Sequence, residues 1–288
     1  MTPHDDLLLS IVIPVYNEEK NVADTVAGLQ KALIGAAIPY ELILANDNST
    51  DGTAGILAGL AADDPCIRVV TRQPPRGFGR AVRSGLAAVR GDVVILCMAD
   101  QSDSPDDVVA YYRKIQEGYD CVFGSRFMRG SKCSNYPRLK LVINRIVNKM
   151  LQVLFWTDCN DLTNSFKAYR TSVIRGLGPL VACHFNITIE LSLSTLIRGH
   201  CIARMPISWQ GRTWGSSNLH LSEMGRRYLS TLLKVWFEKR LILDDVIAES
   251  VNCRSEQALP PPGQVERRLL AIESRLEQLE KANPAAGR

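Results

Sequence analysis

From Leu8 to Ser125 the chain alternates two kinds of segment, and that alternation limits the possible folds more than any other feature. Apolar runs at Leu8–Val15, Tyr40–Ala45, Ile67–Thr71, Val93–Met98 and Cys121–Ser125 have the length and continuity of strands buried on both faces. Between them lie helical stretches at Asn21–Ile34, Thr53–Ala62, Gly79–Val89 and Pro105–Ile115. In the first of these, Val22, Val26, Leu29 and Leu33 recur at helical spacing. Pro105 suits a first helical turn, where its missing N–H removes no bond. Strand and helix in regular succession predict a parallel sheet of βαβ units.

Beyond Ser125 the pattern is more mixed. It predicts helices near Leu139–Phe155 and Ile187–Arg198, a strand at Ile202–Trp209, and a basic amphipathic helix from about Ser222 to Arg240. The expected organisation is one α/β domain over residues 1–221 and a basic amphipathic helical segment over 222–254. A stiff linker over 255–264 contains Leu259-Pro260-Pro261-Pro262-Gly263. A short helix over 265–281 then carries Val265, Leu269, Ile272, Leu276 and Leu279 as an a/d seam. So short a seam needs a partner to be stable, which makes it a self-association helix or a marginal tail.

Composition excludes several classes. With 288 residues, 46% apolar and 22% charged, the chain is not broadly disordered. A net charge of +4 does not argue for nucleic acid. Bases cluster at Arg126–Arg145 and Arg226–Arg240 and acids at Asp100–Asp107, a distribution suited to anionic substrates. No two of the eight cysteines form a C-x-x-C pair, so the expectation is reduced thiols in a cytosolic protein and no zinc site. No signal peptide is legible. The most apolar stretch, Leu139–Trp156, is interrupted by Lys140, Arg145 and Lys149, so the protein is expected to be soluble or held at a surface.

The first two strands end in the polar segments Val15-Tyr16-Asn17-Glu18 and Asn46-Asp47-Asn48-Ser49-Thr50-Asp51-Gly52-Thr53. In a parallel sheet both ends meet at one rim, where ligands of open α/β sheets bind. Tyr16 offers a flat face to a base, and the carboxylates of Glu18 and Asp47 accept from base or ribose donors. Each loop also has a local reading, with Asn17 as a helix cap and Asp47–Ser49 as a turn; the pair together points to a nucleotide. In Arg76-Gly77-Phe78-Gly79, Gly77 either lets a ligand approach a helix start or makes a tight turn.

Asp100, Asp103, Asp106 and Asp107 follow the fourth strand, and carboxylates there suit magnesium or manganese bridging to a diphosphate. Asp106 and Asp107 suit the helix dipole, whereas Asp100 precedes the helix and is expected to face the nucleotide. Arg126 ends the fifth strand, and Lys140, Asn144 and Asn148 share one helix face. A guanidinium opposite a lysine makes a phosphate pocket; Arg138 and Lys149 read as a solvated face. Arg212 lies in Trp209-Gln210-Gly211-Arg212-Thr213-Trp214-Gly215-Ser216, a loop that closes over a site or packs on the surface. The basic, aromatic stretch Met224–Arg240 fits an anionic lipid surface or packs on its own domain.

These motifs, together with Gly124-Ser125-Arg126 and Asp161-Leu162-Thr163-Asn164-Ser165-Phe166-Lys167-Ala168-Tyr169-Arg170, resemble family-2 glycosyltransferases of GT-A fold. Within that family the chain is similar to the polyprenyl-phosphate glycosyltransferases, the dolichol-phosphate mannosyltransferase group, over about Leu9 to Leu219. The resemblance implies a Rossmann-like α/β fold, a mostly parallel sheet flanked by helices, with a C-terminal helical extension. It implies a base and ribose site at Pro14, Tyr16, Glu18 and Asp47, to which we add Gly77. It implies Mg2+ or Mn2+ at Asp100; with Met98 in place of the usual aspartate, Asp103 or Ser102 is the expected second ligand. Arg126, Lys140 and Asn144 would hold the acceptor phosphate, and Arg212 the donor diphosphate, so that Asp100, Arg126 and Arg212 carry the chemistry.

The implied reaction is inverting transfer of a sugar from GDP-mannose or a UDP-sugar to a dolichyl or undecaprenyl phosphate, at the inner face of the cell membrane. A phosphate nucleophile is already ionised, so positioning and charge stabilisation suffice. Two other readings stay open: transfer to a saccharide hydroxyl with Glu190 as base, and a non-catalytic nucleotide-sugar-binding partner subunit. The chain departs from the family pattern at Met98, where an aspartate is usual and a thioether binds magnesium poorly. It departs also at Asn46, Lys140, Asn144 and Asn218. Many relatives carry C-terminal membrane helices, and none is legible in this sequence.

Overall fold

The structure, a computed structural model, describes residues 7–211 and 221–241, with the side chains of 221–224 and 241 left aside. In chain order the elements are β1 (Leu9–Val15), α1 (Val22–Gly35), β2 (Tyr40–Asn46), α2 (Thr53–Asp63), β3 (Ile67–Thr71), α3 (Phe78–Ala87), β4 (Val93–Leu96), α4 (Pro105–Gln116) and β5 (Cys121–Ser125). There follow β6 (Lys132–Ser134), α5 (Arg138–Phe155), β7 (Lys167–Arg170), α6 (Thr171–Gly176), α7 (Ile187–Ile197), β8 (Ile202–Pro206), β9 (Ser208–Gln210) and α8 (Leu221–Leu241). Chain contacts separate a unit ending at Trp236 from one beginning at Phe237, of which only the last residues of α8 are described.

The main sheet has seven strands in the order β3-β2-β1-β4-β7-β5-β8. β1 is buried at every position, because it has a parallel neighbour on each edge and helices over each face. Its odd residues Leu9, Ile11, Ile13 and Val15 join Val22, Val26, Leu29 and Leu33 of α1 and Val108, Tyr111, Tyr112 and Ile115 of α4 in one apolar core. Each such fully buried aliphatic side chain contributes about 1.5–3 kcal/mol. On the opposite face Gly85 of α3 packs so closely that a Cβ there would collide with Val12. Pro14 is tolerated in this central strand because pairing with β4 ends at Val12–Leu96, so no ladder donor is lost.

The alternation predicted for the first half is present, and the arrangement is a mixed α/β sheet of mostly parallel strands flanked by helices. Besides the short β6 and α6, which were not expected, three features differ from the expected elements. The fourth strand stops at Leu96, and Cys97–Asp100 already belongs to the rim. The strand expected over Ile202–Trp209 breaks after Pro206, and β9 leaves the main sheet to pair with β6. β7, unforeseen, runs antiparallel between β4 and β5. Its Ala168 joins the core with Phe166, but Lys167 and Arg170 interrupt any apolar run. Phe123 on β5 pairs with Lys167 on β7, so the whole stretch from Arg126 to Phe166 leaves and re-enters the sheet through adjacent strands.

α8 buries Thr231, Leu232 and Val235, and Asn186 Nδ2 donates to Thr231 Oγ1 at 2.8 Å, so this helix packs on its own domain. The expected linker over 255–264 and the helical seam over 265–281 lie outside the described residues. Among the described residues no helix is long and apolar enough to cross a membrane.

Candidate active site

β1, β2 and β4 are parallel and adjacent, so the segments after them meet at one rim, with Asp47 and Asp100 on either side of β1. Asp47 is fixed there by its own N–H, which donates to Val15 O at 2.8 Å. Its carboxylate is held on both oxygens: Arg72 Nη1 pairs with Oδ1, and the Gly77 N–H donates to Oδ2 at 2.6 Å. Arg72 reaches it because Thr71 pairs with Asn46, which sets the next residue of each strand side by side. The Arg76 guanidinium lies 4.5 Å from the Tyr16 ring centre and also donates to the Tyr16 hydroxyl. Glu18 is buried, accepts from Asn21 Nδ2 at 2.7 Å, and donates its own N–H to Thr53 Oγ1 at 2.9 Å. Pro14, Tyr16, Glu18, Asp47 and Gly77 are therefore brought together: an aromatic ring, carboxylates and cations around one strand end.

The acidic turn on the other side of β1 is tightly organised. Ser102 N–H donates to Asp100 Oδ1 at 3.2 Å, and Met98 N–H to Asp103 Oδ2 at 2.9 Å. Met98 thus serves through its backbone, not its sulfur. Burial pushes the Asp103 carboxyl up to about 7, and the charge of nearby Asp100 adds to the rise. Two carboxylates in mutual repulsion fit a divalent cation, whose charge reverses that cost. Among the described residues no group of three or more His, Cys, Asp and Glu is arranged to hold a metal. Two carboxylates are hard-oxygen donors of the kind Mg2+ takes together with phosphate oxygens and water.

Arg126 follows β5 and is nearly buried. Its Nε and Nη2 each reach Asp161 at 2.7 Å, its N–H donates to the same carboxylate at 3.0 Å, and Nη1 donates to the Tyr136 hydroxyl at 3.3 Å. The rings of Phe127, Tyr136 and Trp209 surround the guanidinium. Asn144 Nδ2 donates to the same Tyr136 hydroxyl at 2.5 Å, which places it beside Arg126. Lys140 lies one turn earlier on α5, half-buried. Asn148 is committed to structure: its Oδ1 accepts from Leu162 N–H at 2.6 Å and its Nδ2 donates to Thr163 Oγ1 at 2.9 Å. Arg212 lies outside the described residues. One hollow lies between the ends of α1 and α4 and another along α5, both lined by other residues.

Residues 10–178 match the family described as Glycosyl transferase family 2. The chain belongs to this family. It is 28% identical over 215 residues to the dolichol-phosphate mannosyltransferase of Pyrococcus furiosus, covering 73% of this chain and 59% of that protein. It is 31% identical over 212 residues to the undecaprenyl-phosphate 4-deoxy-4-formamido-L-arabinose transferase of Shewanella sediminis, covering 73% and 61%. The chain thus spans about three-fifths of the length of these curated relatives. Among solved structures, glucosyl-3-phosphoglycerate synthase from Mycobacterium tuberculosis, crystallised with Mn2+, UDP and phosphoglyceric acid, aligns with a TM-score of 0.61 at 21% identity, over 80% of this chain and 78% of that one. The likeness is one of fold, the GT-A arrangement.

Within this family-2 domain several site residues had no assigned role in the sequence. Arg72 and Arg76 pair with Asp47 and Tyr16, and the signal for Arg72 was its place just after a strand that ends at the same rim. Asp161 lies in a motif that gives no sign of its partner, and only the return of the chain through β7 sets it against Arg126. Glu190, a possible base, is wholly buried at the start of α7 and bonded to Val181, Ala182 and Lys234.

Proposed function

We propose that this family-2 glycosyltransferase domain moves a sugar from a nucleotide-sugar donor to a polyprenyl phosphate, with inversion at the anomeric carbon. The observation that carries this reading is the Arg126 cluster at the rim of the acidic turn: a cation hemmed by aromatic rings beside Asn144 suits a phosphate better than a sugar hydroxyl. The names of the two curated relatives support it. Glu190, with its carboxylate already engaged by three donor groups, is poorly suited to deprotonate a saccharide hydroxyl.

In this mechanism Tyr16, Glu18, Asp47 and Gly77 hold the nucleoside. Asp100 and Asp103 would hold Mg2+ or Mn2+, which supplies charge neutralisation for the leaving diphosphate. Arg126, Lys140 and Asn144 orient the acceptor phosphate, and Arg212 keeps the diphosphate role that the resemblance implies. An acceptor phosphate oxygen forms the new bond to the anomeric carbon as the bond to the donor diphosphate oxygen breaks. The electron pair leaves with the nucleoside diphosphate, and no proton needs to move.

Contact with a lipid surface belongs to the same reading, and the surface suited to it is α5. Leu139, Val142, Ile146, Met150 and Val153 recur at spacings of three and four, all exposed, and Trp156 just beyond the helix is 91% exposed. α5 carries Arg138, Lys140, Arg145 and Lys149 and no acid, which suits an anionic leaflet such as the inner face of a cell membrane. The basic helix after residue 221 buries Leu232 and Val235 and leaves Leu229, Leu233 and Phe237 exposed, a shorter apolar surface than that of α5.

The test is incubation with radiolabelled GDP- and UDP-sugars, each with polyprenyl phosphate or an oligosaccharide. Lipid-linked product from polyprenyl phosphate alone is the expected result. Labelled oligosaccharide alone would replace the acceptor, and donor binding without product would leave a non-catalytic subunit.

A further inference from the structure

Glu190 is a buried anion that the proposed chemistry does not use. Its two oxygens accept the Val181 N–H at 3.1 Å, the Ala182 N–H at 2.8 Å and the Lys234 ammonium at 2.5 Å. Lys234 comes from α8 and also donates to Pro179 O at 3.3 Å. What this carboxylate holds in place is the segment running from Leu180 to Phe185.

That segment lies against the turn at the start of α3 with no room to spare. A Cβ on Gly77 would collide with Cys183 O, and one on Gly79 would lie 2.5 Å from Ala182 O. Arg80 N–H donates to Cys183 O at 3.3 Å, Arg83 Nη1 to Leu180 O at 2.8 Å, and the Phe78 and Phe185 rings stack at 4.5 Å. Gly77 in turn donates its N–H to Asp47 Oδ2 at 2.6 Å. A continuous run of bonded and close-packed groups therefore leads from Lys234 through Glu190 and the 181–183 backbone to Asp47. Close packing transmits displacement, because none of these contacts has slack to absorb it.

We propose that Glu190, together with Lys234, is a positioning residue for the nucleoside: it sets the height of the Gly77 N–H and so the aim of the Asp47 carboxylate. The proposal rests on the nucleotide reading of the rim. Removing Lys234 leaves a buried carboxylate short of its counter-charge, and the segment it anchors must shift or take in water. The coupling runs through a defined packing path, so nucleotide affinity changes without any change at a residue that touches the nucleotide.

The experiment is calorimetric titration of GDP and UDP, with manganese, into the full chain and four variants: Lys234→Met, Lys234→Arg, Glu190→Gln and, as a control, Leu232→Ala. Leu232 is buried on the same helix and, being apolar, supplies none of the hydrogen bonds or charges of this path. The Kd of the preferred nucleotide is expected to weaken about tenfold in Lys234→Met and Glu190→Gln. Lys234→Arg should recover it, and Leu232→Ala should bind as the unaltered chain does even where its Tm falls as far. Unchanged affinity in Lys234→Met and Glu190→Gln overturns the positioning role, as does equal weakening in the control. If the unaltered chain binds neither nucleotide, the reading of the rim itself fails, and this inference with it.

Discussion

Arg126 and Asp161 meet in a two-point grip, Nε and Nη2 each 2.7 Å from a carboxylate oxygen, with the Asp161 side chain fully buried. Burial alone would disfavour the Arg126 charge, but Asp161 more than offsets this and keeps the guanidinium protonated. The pair is neutral before any ligand arrives, and Thr163 and Tyr136 take further guanidinium N–H groups.

Breaking that grip should be costly. Arg126→Ala leaves a buried carboxylate without its partner, at a cost of about 3–5 kcal/mol. The double variant Arg126→Met with Asp161→Leu should lose less than the single one. Urea unfolding of the two checks this; a double variant as unstable as the single one would show that the grip is not what the loss reports.

Asp100→Ala should lower turnover by at least about a hundredfold, since cation binding to a diphosphate supplies several kcal/mol. Nucleotide binding without manganese should change little. Steady-state rates over a manganese titration check both halves.

Lys167 titrates unusually. Burial lowers its ammonium to about 7 from the ordinary 10.5, against the pull of Asp161. The unfolded chain then binds more protons than the folded one between these values, so stability contributed at this site rises with pH across that window. The slope is at most about 1.4 kcal/mol per pH unit. Urea unfolding of Lys167→Met and the unaltered chain from pH 6 to 9 should show a stability difference between the two that changes with this slope; other groups such as Asp103 titrate alike in both.

Ile146→Asp with Val153→Asp should abolish co-sedimentation with vesicles rich in anionic phospholipid. Both residues are exposed on α5, so the Tm should stay within a few degrees. Retained vesicle binding would remove α5 as the contact surface.

Two glycines should respond oppositely to alanine. Gly79→Ala forces a Cβ against Ala182 O and should destabilise by about 1–3 kcal/mol. Gly55 sits exposed in α2 with nothing within 4 Å of such a Cβ, so Gly55→Ala should gain about 0.4–1 kcal/mol. Thermal denaturation distinguishes the two.

The first half of the fold was legible because unbroken apolar runs and helical spacing are direct consequences of burial on two faces or one. The same logic set Asp47 and Asp100 at one rim, since parallel neighbours end on the same side. β7 was hidden because it is only four residues long, begins on Lys167 and ends on Arg170, and nothing local says that the Lys167 ammonium folds back onto Leu162 O and Asn164 O. Arg72 was hidden for a different reason: one arginine after a strand looks like ordinary surface charge until the pairing of Thr71 with Asn46 brings it to Asp47. The sequence left α5 and α8 alike, both basic and amphipathic, and only packing shows that α5 leaves its apolar stripe exposed while α8 buries Leu232 and Val235 and exposes Leu229, Leu233 and Phe237.

The antiparallel entry of β7 has a further consequence. Because Phe123 and Lys167 are paired neighbours, the residues between them form an oversized hairpin turn whose two feet stand side by side. Such an excursion can be lengthened, shortened or exchanged without altering the strand order beneath it. On the function proposed above, the part that would meet the acceptor is in this sense a removable head, mounted on the frame that would read the donor.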